Sequence, residues 1–129
     1  MAALLLDTHA LLWWLAGDPG LSQPARTAIG NEENAIYISA ATAWEIATKF
    51  RIGKLPDVTS LIDDLDAIIA SQGFKALPIS LRHGQVAGSL PGPHKDPFDR
   101  MLMAQAMLEG MVLISNESAF DRYGVRRLW

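Results

Sequence analysis

The stretch ALLLDTHALLWWLAG, residues 3–17, decides how this chain is read. Four apolar residues end at Asp7, and a helix-forming run follows at once. Periodicity alone does not separate so short a run from the start of a buried helix. Read as a strand, it makes a strand–helix unit with a carboxylate at the strand's carboxyl end. The turn signal GDPG, 17–20, stops the helix.

The same grammar recurs outward from that point. AIYIS, 35–39, is short and β-rich, and AATAWEIATKFRIG, 40–53, follows as a helix closed by Gly53. Its apolar residues Ala43, Trp44, Ala47 and Phe50 fall broadly on one side. MVLIS, 111–115, is a third strand, and NESAF after it is a turn or short helix. Ser22 caps a helix that ends at Gly30 or Asn31. Another helix is expected from about Val58 to Gln72, stopped by Gly73. KALPIS, 75–80, is a short strand and LRHGQVAGSL a weak helix with two glycines. PGPHK, 91–95, is a loop, Pro97 to Glu109 a helix ended by Gly110, and VRRLW, 125–129, a last strand. Alternating short strands and helices indicate an α/β domain with a mostly parallel sheet. The loops at the carboxyl ends of such strands build the functional site. No repeat or linker divides residues 1–129, so one domain is expected.

Composition narrows the chemistry. Half of the residues are apolar, enough for a sizeable core, and the net charge is −3. That charge argues against gripping nucleic acid by bulk positive potential, though not against a local basic rim. The absence of cysteine excludes disulfides, thiolate metal sites and a cysteine nucleophile. Fourteen acids and three histidines remain. No stretch reaches the ~20 apolar residues that span a bilayer, and the amino-terminal run lacks a basic flank. A cytoplasmic protein without a membrane partner is expected.

Each notable acid has an ordinary role to set beside a chemical one. Asp7 is placed to cap a helix, a contribution of about 1 kcal/mol. Glu45 is placed to pair with Lys49 at i+4, worth about 0.2–0.5 kcal/mol, yet its neighbours in SAATAWEIA are uncharged. In HKDPFDRMLMAQA, 94–106, Asp96 precedes Pro97 and reads as an N-cap. Asp99 then sits three positions on, where a carboxylate completes a capping box and meets the helix dipole. The amides of that helix start would favour a nearby phosphate. Glu117 reads as a turn residue. Together, however, Asp7, Glu45, Asp99 and Glu117 fall at strand ends or helix starts that an α/β fold can bring to one edge. Carboxylates gathered there repel one another unless a cation joins them. Mg²⁺ or Mn²⁺ takes one or two carboxylates, keeps several waters, and suits phosphodiester hydrolysis.

In their order, LLLDTHALLWWL, SAATAWEIATK, HKDPFDRMLMAQA and LISNESAFDRYGV resemble the PIN-domain family, in particular the VapC-type toxins of bacterial toxin–antitoxin pairs. The resemblance runs from about residue 3 to residue 129. It implies a PIN-like three-layer sandwich and a Mg²⁺- or Mn²⁺-dependent endoribonuclease. It further implies an RNA substrate, a cognate antitoxin and a homodimer. It assigns the four metal-site acids to Asp7, Glu45, Asp99 and Glu117. The last is usually aspartate in the family, and the extra methylene here suits a bridging or water-mediated role. Thr8, Ser39 and Asn116 would orient carboxylates or waters. Lys49, Lys95 and Arg100, with His94, Arg51 and Lys54, would form a basic rim for substrate. A non-catalytic PIN-like module that binds RNA or protein is the competing reading. A phosphatase of the haloacid dehalogenase type needs a second aspartate two residues after the first, where this chain has His9. Adjacent Trp13 and Trp14 point about 100° apart on a helix, so that helix is either buried all round or covered by a partner such as the antitoxin.

Overall fold

The computed structural model describes residues 1–55 and 63–129. Five strands form one sheet: β1 (Ala3–Leu6), β2 (Ala35–Ser39), β3 (Lys75–Leu77), β4 (Val112–Ile114) and β5 (Arg127–Leu128). Their order is β3-β2-β1-β4-β5, and every pairing is parallel. The helices are α1 (Thr8–Ala16), α2 (Gln23–Gly30), α3 (Ala40–Arg51), α4 (Leu65–Ser71), α5 (Leu81–Ser89) and α6 (Pro97–Glu109), and a 3-10 helix spans Ser118–Tyr123. The expected beginning of the fourth helix near Val58 lies outside the described residues.

The short apolar run at the start of the chain is the central strand. Successive strand side chains point to opposite faces, and both faces here are covered. Leu4 and Leu6 join Leu11, Ile29, Ile38 and Ile46 on one side, while Leu5 joins Leu102, Met103, Leu113 and Phe120 on the other. This makes three layers, helix–sheet–helix. Each buried leucine or isoleucine contributes about 1.5–3 kcal/mol of transfer free energy. Parallel order places the carboxyl ends of β1, β2 and β4 on one edge. The Asp7 N–H extends the ladder there, donating to the Ile114 carbonyl (3.1 Å).

Two readings are corrected. Helix α3 splits the Ala43–Trp44–Ala47–Phe50 side: Ala43 and Phe50 pack half-buried against the core, while Trp44 and Ala47 are exposed. It buries Ala41, Thr42, Glu45 and Ile46, and leaves Trp44 61% exposed against the edge of Phe98. The inward face carries polar groups because it overlooks the strand ends, so hydrophobic patterning does not find it. Trp13 and Trp14 are half-buried rather than enclosed. Trp13 packs against His9 and Trp129, and Trp14 packs on Phe74 while donating its indole N–H to Gln72 (3.0 Å).

Arg100 is also placed differently from the sequence reading. Its guanidinium donates to the carbonyls of Ala87 (2.9 Å), His94 (2.9 Å) and Leu90, tying the loop after α5 to α6. A planar fork with five donors suits three carbonyls, so three of its donors are spent within the protein. Arg100→Ala is therefore expected to cost about 2–3 kcal/mol by leaving these acceptors short of donors. Urea unfolding with an unchanged m value measures this; a cost near zero would contradict the assignment.

Candidate active site

The carboxyl edge of β1 and β4 opens into a cleft of ≈ 290 Å³. Asp7, Glu45, Asp99 and Glu117 all border it, although they come from four separate segments of the chain. Thr8, Asn116, Lys49, Asp96, His9 and Trp13 complete its wall.

Each carboxylate is held by local structure. Asp7 is 7% exposed and caps α1, its Oδ1 accepting the Ala10 N–H at 2.8 Å. Glu45 is 4% exposed, with Oε1 accepting the Thr8 hydroxyl (2.5 Å) and Oε2 the Lys49 ammonium (2.5 Å). The i+4 pairing with Lys49 is thus real, but it lies in the cleft rather than on an open surface. Asp96 caps α6 by accepting the N–H groups of Phe98 (2.9 Å) and Asp99 (3.1 Å). Those two amides are consequently not free for a phosphate. Asp99 does not turn back to close a capping box: its Oδ2 lies 2.9 Å from His94 Nε2. When Asp99 is ionised, that imidazole nitrogen is the donor. Glu117 accepts the Ala119 N–H (3.1 Å), capping the 3-10 helix while bordering the cleft.

The electrostatics show the strain of this grouping. Burial, above all, raises the Asp7 carboxyl above the ordinary range, and the nearby Glu45 charge adds to it; the Ser115 hydroxyl and the Ala10 N–H oppose it. Burial likewise pushes Asp99 up to about 6, with added repulsion from Asp96 and Glu45 and partial relief from His94. Lys49 is held charged chiefly by its bond to Glu45. It is the cation that currently offsets part of the negative cluster.

Thr8 and Asn116 lie in the cleft wall, as their neighbourhood in sequence suggested, whereas Ser39 does not border it. The Ser39 hydroxyl accepts the Ala41 N–H (2.9 Å) and caps α3. Lys95 does not border the cleft either; it lines a separate cavity together with His94. The sequence reading missed Ser115, which is fully buried, influences Asp7 and accepts the Glu117 N–H (3.0 Å). Its position as the last residue of MVLIS was the available signal. Thr42 was also missed; it is buried with its hydroxyl 3.5 Å from that of Thr8.

The donors suit a hard cation: they are carboxylate oxygens, with no thiolate available. The raised Asp7 and Asp99 carboxyls are the physical sign of fit, because a cation would relieve the desolvation and repulsion that raise them. Among the described residues, no three acidic or histidine side chains already converge on one point. Lys49 and Thr8 occupy Glu45, and His94 occupies one Asp99 oxygen.

The Asp99 shift has a consequence for stability. Between pH 4 and 6 the folded state binds more protons at this group than the unfolded state does, so stability falls as pH rises through that window. Asp99→Asn removes the cost of the buried charge and keeps an acceptor for His94. In metal-free buffer at pH 7.5 the variant should be more stable by on the order of 1 kcal/mol, and the gain should vanish near pH 4. Thermal unfolding at both pH values tests this; equal stability at pH 7.5 would show that Asp99 carries no such cost.

The family model of the PIN domain matches residues 4–126. Ribonuclease VapC22 of Mycobacterium tuberculosis (strain ATCC 25618 / H37Rv) is 28% identical over 120 residues, covering 91% of this chain and 88% of the relative. VapBC2 from Rickettsia felis, bound to a DNA fragment from its promoter, superposes with a TM-score of 0.71 at 17% identity, covering 98% of this chain and 97% of the other. A toxin–antitoxin complex from Klebsiella pneumoniae gives a TM-score of 0.59 at 20% identity, covering 88% and 86%. A parallel sheet with acids gathered at its carboxyl edge, and a family match over almost the whole length, lead to one conclusion: this chain belongs to the PIN-domain family.

Proposed function

We propose that this protein is a VapC-type endoribonuclease, the toxin of a toxin–antitoxin pair, which hydrolyses RNA phosphodiester bonds with Mg²⁺ or Mn²⁺. The carrying observation is the convergence of Asp7, Glu45, Asp99 and Glu117, distant in sequence, on one cleft. The similarity to a ribonuclease and to toxin–antitoxin complexes supports the reading. Asp7, Glu45 and Asp99 are assigned to hold the ion, with Glu117 acting through water or a bridge. When bound, the ion supplies Lewis-acid stabilisation of phosphate charge and lowers the pKa of a coordinated water. The chain's own residues prepare that site. Thr8 orients Glu45, Ser115 and the Ala10 N–H orient Asp7, and His94 orients Asp99. Lys49 neutralises Glu45 in the metal's absence, and Asn116, in the cleft wall, would orient carboxylates or waters. A cognate antitoxin, a homodimer and a cytoplasmic site of action belong to the same proposal. No described helix is long and apolar enough to cross a membrane.

The Lys49–Glu45 bond also favours a second reading, a PIN-like module that binds RNA or protein without cleaving it, because a permanent ammonium would exclude the metal. Incubation of total bacterial RNA with the protein in Mg²⁺, Mn²⁺ or EDTA separates the two. The nuclease reading expects discrete fragments in either metal and none in EDTA. Asp99→Asn should lower their rate roughly 100-fold or more, the scale of losing a charge-stabilising group. Fragments that persist in the variant would remove Asp99 from the chemistry, and RNA binding without fragments would favour the module.

A further inference from the structure

A cavity of ≈ 570 Å³ adjoins the acidic cleft, formed by the 90–95 loop and the 3-10 helix. Its size lies within the ~300–1,000 Å³ typical of small-ligand sites. His94 links the two: it lines this cavity and reaches through Nε2 to Asp99, which borders the cleft. The two spaces differ in charge. The cleft gathers carboxylates, whereas Lys95 and Arg122 border the cavity, and neither makes a hydrogen bond or ion pair with another described residue. Neighbouring cations are already used: Arg127 pairs with Asp121, and Arg100 holds backbone carbonyls.

The cavity wall is built in advance. Gly92 has φ +98°, and a Cβ there would stand 2.7 Å from the Tyr123 hydroxyl, so only glycine admits the ring. The Tyr123 hydroxyl accepts the His94 N–H at 3.0 Å. Arg100 fixes the same loop through the Leu90 and His94 carbonyls. The result is an aromatic ring and proline surfaces, rimmed by two cations without a partner among the described residues, with His94 leading to Asp99.

We propose that this cavity is a nucleotide subsite for single-stranded RNA, taking the base and phosphate next to the bond at the acidic cleft. The proposal rests on the nuclease reading for its orientation. Tyr123, Pro91 and Pro93 offer faces for an unstacked base, and Lys95 and Arg122 take its phosphate. A chain with net charge −3 and an acidic cleft repels a polyanion. These cations supply the local attraction that the cleft lacks. Because the wall is already ordered, binding costs little reorganisation.

The test uses a labelled uridine hexamer, with anisotropy recorded in EDTA across a salt series, so cleavage cannot intervene. Lys95→Ala and Arg122→Ala are exposed changes and should each weaken binding about fivefold and reduce the salt slope by about 0.7. Arg126→Ala, on another surface where it bonds the Gly110 carbonyl, should leave affinity unchanged. A duplex of the same length should bind more weakly, since its bases are already stacked. Native affinity in both cavity variants would overturn the proposal, as would an equal loss in Arg126→Ala or equal binding of duplex. Parallel cleavage with Mg²⁺ keeps the two claims apart. Cleavage without any cavity effect removes the subsite alone, and a cavity effect on binding without cleavage retains the subsite and removes the nuclease.

Discussion

The constraint on which the structure turns is the withdrawal of several carboxylates from water at one edge of a parallel sheet. A buried carboxylate needs a donor, a cation or a proton. Asp7 finds a helix amide, Glu45 a hydroxyl and an ammonium, and Asp99 an imidazole. These partners reduce the cost without removing it, since Asp7 and Asp99 remain raised. A fold optimised only for stability would place apolar groups there. The retained cost is one that a cation bound at this edge would relieve.

The rest of the molecule keeps that edge in position. The alternating leucines of β1 anchor the central strand in both halves of the core, so Asp7 and Thr8 leave the sheet at a fixed height. Asp96 starts α6 and thereby sets Asp99, while Arg100, one residue further, secures the adjoining loop. In DPFDR, three charged residues divide the work: a helix cap, a cleft acid and a loop clamp. Here the capping acid aims the cleft acid.

Much of this was legible in the sequence. Short apolar runs between helix signals gave the α/β order, and the capping residues Ser22 and Asp96 stand where local chemistry puts them. Asp7, Asp99 and Glu117 could be picked out because each follows a strand or opens a helix, whereas Glu45, inside α3, stood out by its uncharged neighbours and by the family resemblance. What could not be read depended on direction in space. The polar inward face of α3 defeated a hydrophobicity argument, because the cleft inverts the usual meaning of burial. The capture of Arg100 by three carbonyls, and of Ser39 by the Ala41 N–H, depends on loop and cap geometry that composition does not encode. Ser115 went unnoticed beside two more conspicuous polar residues, although its place at a strand end was the same signal that singled out Asp7.

The most direct test of the central claim is carboxyl NMR of Asp99 across pH, recorded without divalent ions and then with Mg²⁺. The account predicts titration near pH 6 without metal and a clear downward shift with it, as a cation stabilises the ionised form. Titration in the ordinary range without metal, or a curve that Mg²⁺ leaves unmoved, would contradict the view that this buried acid cluster is built around a cation.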